Sequence, residues 1–101
     1  MDGMRHGFTE EQALASAAEI GLDLSTAPFD VDQFRRGMEV ELEHGRRDPV
    51  TDVTDDDPLV TAKIAWAHLK EFPDYYDRLE RMEAEAEAEA EAEAEAELPT
   101  T

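Results

Sequence analysis

Apolar positions recur along this chain at three- and four-residue spacing, the period of a helix with one buried face. Ala13, Leu14, Ala17, Ala18 and Ile20 form the first such set. Thr9 followed by Gln12 is a capping-box pattern ahead of it, and Gly21 is a stop signal behind it. A first helix is therefore predicted over residues 10–20. Leu22 to Phe29 reads as a connector, with Ser25 and Pro28 as turn residues. Asp30 and Gln33 repeat the capping pattern for a second helix over 31–44, with Phe34 and Met38 on an apolar stripe that continues onto Glu41, and Gly45 as its end. Arg46 to Asp57 (RRDPVTDVTDDD) is a polar loop.

Asp57 is a good N-cap for a third helix. Pro58 stands at the first helical position, where its missing N–H costs nothing. Thr61, Ile64, Ala65, His68 and Phe72 lie on one stripe of that helix, which runs to Glu71. Pro73 then forces a kink or a break, because its ring clashes with the preceding turn and it lacks a donor. A fourth segment starts at Asp74 and passes through Met82 into the C-terminal run. No segment alternates with the period of a strand. The expected fold is all-α, a compact bundle of three to four short helices over residues 9–82. A flexible arm (1–8) precedes it, and a low-complexity acidic tail (83–101), helical or disordered, follows.

The tail is a strict Glu-Ala alternation with eight Glu from Glu83 to Glu97. Both residues are good helix formers. A two-residue period nevertheless spreads Glu around every face of a helix, and each Glu meets another at i+4. Such a segment should fray in low salt and become helical in molar salt or in acid.

Charge changes the picture of function more than length does. The 101 residues carry 27 Asp and Glu against nine Lys and Arg, a formal net charge of −18. Without the eight tail acids, nineteen stand against nine bases, so the body alone is at −10. A field of this sign repels phosphate backbones, so neither nucleic acid nor an anionic membrane is an expected partner. Seven of the cations are Arg and two are Lys, in a chain rich in Ala and Thr. This suits a high-salt cytoplasm, where screening within about 3 Å at molar salt makes self-repulsion tolerable. No secretory signal or long apolar run is visible, and a cytoplasmic location is expected. The absence of Cys excludes disulfides, thiol nucleophiles and Cys-ligated metal centres.

One constellation carries candidate chemistry. Glu41 and His44, and likewise His68 and Glu71, stand at i, i+3 on one helix face, and carboxylate plus imidazole is a ligand set for iron, manganese or zinc. Geometry weighs against a joint site. His44 lies at the end of the second helix, whereas His68 is about ten residues, roughly 15 Å, into the third. An antiparallel pair with level ends sets His68 opposite Phe34, although the long 46–57 loop allows an offset that would keep the set together. Structural roles are the simpler reading: His44 as a C-terminal cation, His68 as a core or interface histidine bonded to a carboxylate or carbonyl.

Asp52, Asp55, Asp56 and Asp57 lack the spacing of a calcium loop and read as turn and capping residues. Arg35, Arg36, Arg46 and Arg47 are flanked by acids and are expected to pair locally, Arg35 with Glu39 for example. No Ser-His-Asp elbow or phosphate-binding loop is present. Trp66, Phe72, Tyr75 and Tyr76 are core candidates that also suit an interface with a protein partner or a second copy.

Three strings carry a family resemblance. They are Phe34-Arg35-Arg36-Gly37-Met38-Glu39-Val40-Glu41-Leu42-Glu43-His44-Gly45, then Thr51-Asp52-Val53-Thr54-Asp55-Asp56-Asp57-Pro58, then Lys63-Ile64-Ala65-Trp66-Ala67-His68-Leu69-Lys70-Glu71-Phe72-Pro73-Asp74-Tyr75-Tyr76 with Arg78-Leu79 and Met82-Glu83. Over residues 10–83 the chain resembles a domain-of-unknown-function family of small proteins from bacteria, archaea and tailed phages or proviruses. Trp66 stands where a smaller aliphatic residue is expected, and the tail lies outside the match. The resemblance implies no established activity, and it implies relatives among phage structural genes. The expected function is a non-enzymatic interaction or structural module without a cofactor. The alternative is a small metal-binding protein or enzyme holding a divalent transition metal on the Glu/His cluster.

Overall fold

Thr9 starts the first helix in the way its spacing predicts. Its hydroxyl accepts the Gln12 amide at 3.1 Å, while its own amide donates to the Gln12 side chain at 2.8 Å. This closes the box ahead of α1 (Glu10–Glu19). Gly21, at φ +78°, turns the chain out of the helix in a conformation that suits a residue without a Cβ. The computed structural model describes residues 7–96. The expected arm over 1–8 therefore lies largely outside the described residues, as do 97–101 of the tail. Phe8, the arm's last residue, packs against the core, and its carbonyl accepts from Arg35 at 3.3 Å.

The second helix, α2 (Val31–Arg47), is capped by Asp30, which accepts the Gln33 amide at 2.9 Å. Only half of the expected box forms, because the Gln33 side chain instead donates to Asp77 at 2.9 Å. The helix also runs past Gly45. That glycine is buried, and a Cβ there would stand 2.8 Å from Asp52 Oδ1 and from Thr54 Oγ1. Gly45 is thus a contact point where the following loop closes onto the helix, not a terminator.

In that loop the acids organise backbone, as their spacing suggests. Asp52 Oδ1 accepts from the amides of Thr54 and Asp55 at 3.2 and 3.0 Å. Asp55 and Asp56 hold positive φ of 47° and 62°, which Asp tolerates better than most side chains. Asp57 caps α3 (Pro58–Glu71) through the amides of Leu59 and Val60. Pro73 separates α3 from α4 (Tyr75–Ala96).

The architecture is an all-α bundle, with no strand among the described residues. Phe34 and Met38 of α2 fill its centre and are fully buried. Ala13 and Ala17 of α1, and Ala62 and Ala65 of α3, are small enough to bring those helices close against them. Leu22 and Phe29 close the connector side, and Leu69 and Tyr76 complete the core. Burying Phe34 and Met38 contributes about 1.5–3 kcal/mol each. In α4 only Tyr76 is buried, and from Glu80 to Ala96 every residue is exposed. This 22-residue helix projects beyond the body, whose longest dimension with it is 60 Å. No helix among the described residues is long and apolar enough to cross a membrane.

Candidate functional site

Glu41 lies one turn beyond Met38 on α2, so the apolar stripe carries its carboxylate inward, and it is only 9% exposed. An unpartnered carboxylate in that position would be costly. Two donors satisfy it. Tyr76 Oη donates to Glu41 Oε2 at 2.8 Å, and His68 Nδ1 stands 2.9 Å from the same oxygen. Tyr76 Oη is also 3.1 Å from His68 Nδ1, which closes the triangle. An ionised carboxylate only accepts, so the imidazole proton belongs on Nδ1 and Nε2 is left unengaged by this cluster.

The ring of His68 is held on its faces as well. Tyr75 stacks on it in parallel, with centroids 4.3 Å apart and planes within 3°. Tyr76 meets it edge-on at 6.1 Å. Burial, and then the Glu41 carboxylate, push the Tyr76 phenol well above the ordinary tyrosine range. Burial first, then Glu41 and Glu71, also raise Tyr75.

Gly37 is the seat of this arrangement. A Cβ at that position would lie 2.4 Å from the Tyr76 ring, so glycine lets the tyrosine pack directly against α2 and reach Glu41 one turn on. A second set of bonds fixes α4 beside it. Arg36 donates to Asp77 at 2.9 Å and to Glu80 at 3.1 Å. Arg36 first, then the Gln33 amide, hold the Asp77 carboxyl below its usual range. The Gln33 side-chain oxygen is buried without a partner.

Beside the cluster a cavity of about 450 Å³ opens between α2, α3 and α4, with Val40, Leu79 and Met82 as apolar walls and His44, His68 and Tyr75 among its polar ones. A second cavity of about 300 Å³, lined by Arg36, Glu39 and Glu80, shares Val40, Leu79, Glu43 and Glu83 with it, so these four residues stand between two hollows along α2 and α4.

The expected four-residue set is thus brought together only in part. Glu41 and His68 bond directly, and His44 lines the same groove, whereas Glu71 is exposed and does not line it. No group of three or more His, Asp or Glu side chains among the described residues is gathered to hold a metal ion. His68 meets Glu41 rather than Phe34 because the level-end assumption fails: α2 runs to Arg47, which moves the level partner to Gly37, and α3 is offset by about one further turn.

The aromatic set divides as well. Tyr76, 2% exposed, is interior and unavailable to a partner, and Tyr75 is half-buried against His68. Trp66 lies beside Pro28 and Phe29 of the connector, with Lys70 Nζ 4.4 Å from its ring centroid. Phe72 is 49% exposed, and Arg78 stands over it at 5.7 Å. Arg35 pairs with Asp32 and Glu39, and Arg46 with Asp56, as local pairing predicts. Periodicity missed the partnership of Gly37 with Tyr76. The available signal was a glycine inside an otherwise regular helical stripe, which points to a close approach.

Fold and site together define a small helical domain whose fourth helix is fastened by a buried carboxylate–tyrosine–histidine cluster. The chain belongs to the DUF5661 family, described as a protein of unknown function, whose profile matches residues 13–85. No curated protein and no solved structure matches it significantly.

Proposed function

We propose that the protein is a non-enzymatic interaction module, working in a high-salt cytoplasm and, on the resemblance noted above, within a phage- or provirus-related assembly. One observation carries the reading. The groups that could do chemistry, Glu41, Tyr76 and His68, are bonded to one another, while an apolar-walled groove stands open beside them with Met82 58% exposed. Satisfied polar clusters of this kind fix the relative placement of helices. Open grooves with apolar walls take protein segments. Affinity capture from the source cells, with light scattering of the purified chain in molar salt, tests it. A strict monomer that retains nothing would overturn it.

A second reading has its own supporting observation. A carboxylate on Nδ1 is the way proteins orient a metal-binding imidazole, leaving Nε2 as the ligand. Elemental analysis of untagged protein, compared with His68→Ala, decides it. A protein that carries no metal and is unaffected by the substitution rejects it.

A further inference from the structure

We infer that the groove between α2 and α4 is the docking site of a basic amphipathic helix supplied by a partner protein, an inference that rests on the interaction-module reading. The groove walls supply the apolar half of the recognition. Val40 and Leu79 are half-buried, and Met82 stands at the lip. Methionine adapts its shape to incoming side chains, which suits a surface that receives a helix.

The rim supplies the other half. Glu43 and Glu83 face solvent on the two sides of the groove, whereas Glu39 and Glu80 are already paired with Arg35 and Arg36. The cations nearby are mostly engaged or terminal. Arg36 is already bonded to Asp77 and Glu80, and Arg47, which lines the groove, stands at its end, where α2 terminates. Apolar walls between acidic rims are the complement of a helix with an apolar stripe flanked by Lys or Arg. A second copy of this chain is a poor occupant, because its exposed helix beyond Met82 offers only Glu and Ala and no basic stripe to face Glu43 and Glu83.

The projecting part of α4 extends the same logic. A helix of 22 residues is roughly 33 Å long, and beyond Met82 its Glu side chains point in every direction. They cannot build a specific contact, but they lengthen the negative field that leads into the groove. At moderate ionic strength the exposed run therefore raises the rate of encounter, an effect that molar salt screens away, and the groove sets the residence time.

The test uses the full-length chain and a dye-labelled sixteen-residue Leu/Lys peptide whose Leu residues form one helical stripe. A peptide of the same composition with the Leu residues scattered is the comparator. Fluorescence anisotropy in moderate salt should show one-to-one binding of the striped peptide, at least tenfold tighter than the scattered one. Glu43→Lys with Glu83→Lys should weaken it about tenfold, and Met82→Ala several-fold. All three positions are exposed, so circular dichroism should show the fold unchanged. Glu10→Lys with Glu11→Lys, on α1, makes the same change in net charge and should leave the striped peptide within twofold. Glu→Gln at residues 85–95 should lower the association rate several-fold and leave dissociation unchanged.

Equal affinity for the two peptides, or an equal loss from the α1 pair, would reduce the effect to bulk charge and overturn the proposal. So would dimerisation that Met82→Ala abolishes, which would make a second copy the occupant. If a captured partner's footprint falls on another face, the groove proposal fails and the interaction reading stands. If nothing is captured and the chain stays monomeric, the interaction reading fails as well.

Discussion

Acidic side chains lie in two regions of this molecule and behave differently in each. In the folded body, from Thr9 to Leu79, many carboxylates have an assigned partner. Asp30 and Asp57 cap helices, Asp52 holds a turn, Asp77 receives Arg36 and Gln33, and Glu41 receives Tyr76 and His68. In α4 beyond Met82, Glu alternates with Ala, every side chain is exposed, and none of these Glu is in an ion pair among the described residues. Composition alone does not separate the two. An acid becomes structural when a donor on another element is held at hydrogen-bond distance from it, and helix packing provides that only in the body.

The sharpest way to break the contrast is at the junction between the regions, where Tyr76 is the only buried residue of α4. Tyr76→Ala removes a fully packed ring and leaves Glu41 with one donor. A loss of about 3–5 kcal/mol is expected from the cavity alone, read from urea unfolding. Tyr76→Phe keeps the ring and isolates the cost of the missing hydroxyl, about 1–3 kcal/mol for an under-satisfied buried acceptor. Equal stability of Tyr76→Phe and the parent chain would show that His68 satisfies Glu41 unaided.

Gly37→Ala comes next. The added methyl meets the Tyr76 ring at 2.4 Å, and overpacking of this kind costs about 1–3 kcal/mol even though Ala is the better helix former. An exposed Gly-to-Ala change in a helix should stabilise, so the sign of the effect is diagnostic. A gain in stability would mean that α4 can shift away from α2 without loss.

These two substitutions also mark the limit of what the chain discloses before folding. The caps at Thr9, Asp30 and Asp57, Pro58 at the first turn and the break at Pro73 are local events, set within a few residues, and they were legible. So was the inward turn of Glu41, which follows from the stripe through Phe34 and Met38. Gly45 was misread because glycine marks both helix ends and close contacts, and only the approach of Asp52 and Thr54 distinguishes them. The pairing of Glu41 with His68 depends on how far α3 slides along α2. No periodicity within a single helix encodes that offset.

Acid should move the two regions in opposite directions. Arg36 and Gln33 hold Asp77 below its usual value of 3.8, and Arg78 does the same for Asp74. A carboxyl depressed on folding contributes stability that is fully present above its unfolded value and is lost as pH falls through its folded one. The body should therefore loosen progressively below about pH 4, starting with the struts that hold α4 on α2. In the Glu-Ala run, protonation removes repulsion between neighbours at i+4, so helix content should rise over the same descent. Tyrosine near-ultraviolet dichroism should fall while the helical content of the run, read residue by residue from NMR backbone shifts, increases. Parallel loss in both regions would mean that the run depends on the body for its helix.

The smallest effect should come from the run itself. Replacing its Glu residues by Gln at 85–95 touches nothing buried and no ion pair of the body, and surface changes of this kind stay within about 0.5 kcal/mol. Urea midpoints for the body should coincide with those of the parent chain, while the salt dependence of the run's helicity should disappear, because the repulsion that salt screens is gone. A shift in the body's midpoint larger than that would place the field of the exposed helix among the forces acting on the bundle. The separation of placed from unplaced acids would then be one of degree, set by distance from Met82 and by ionic strength.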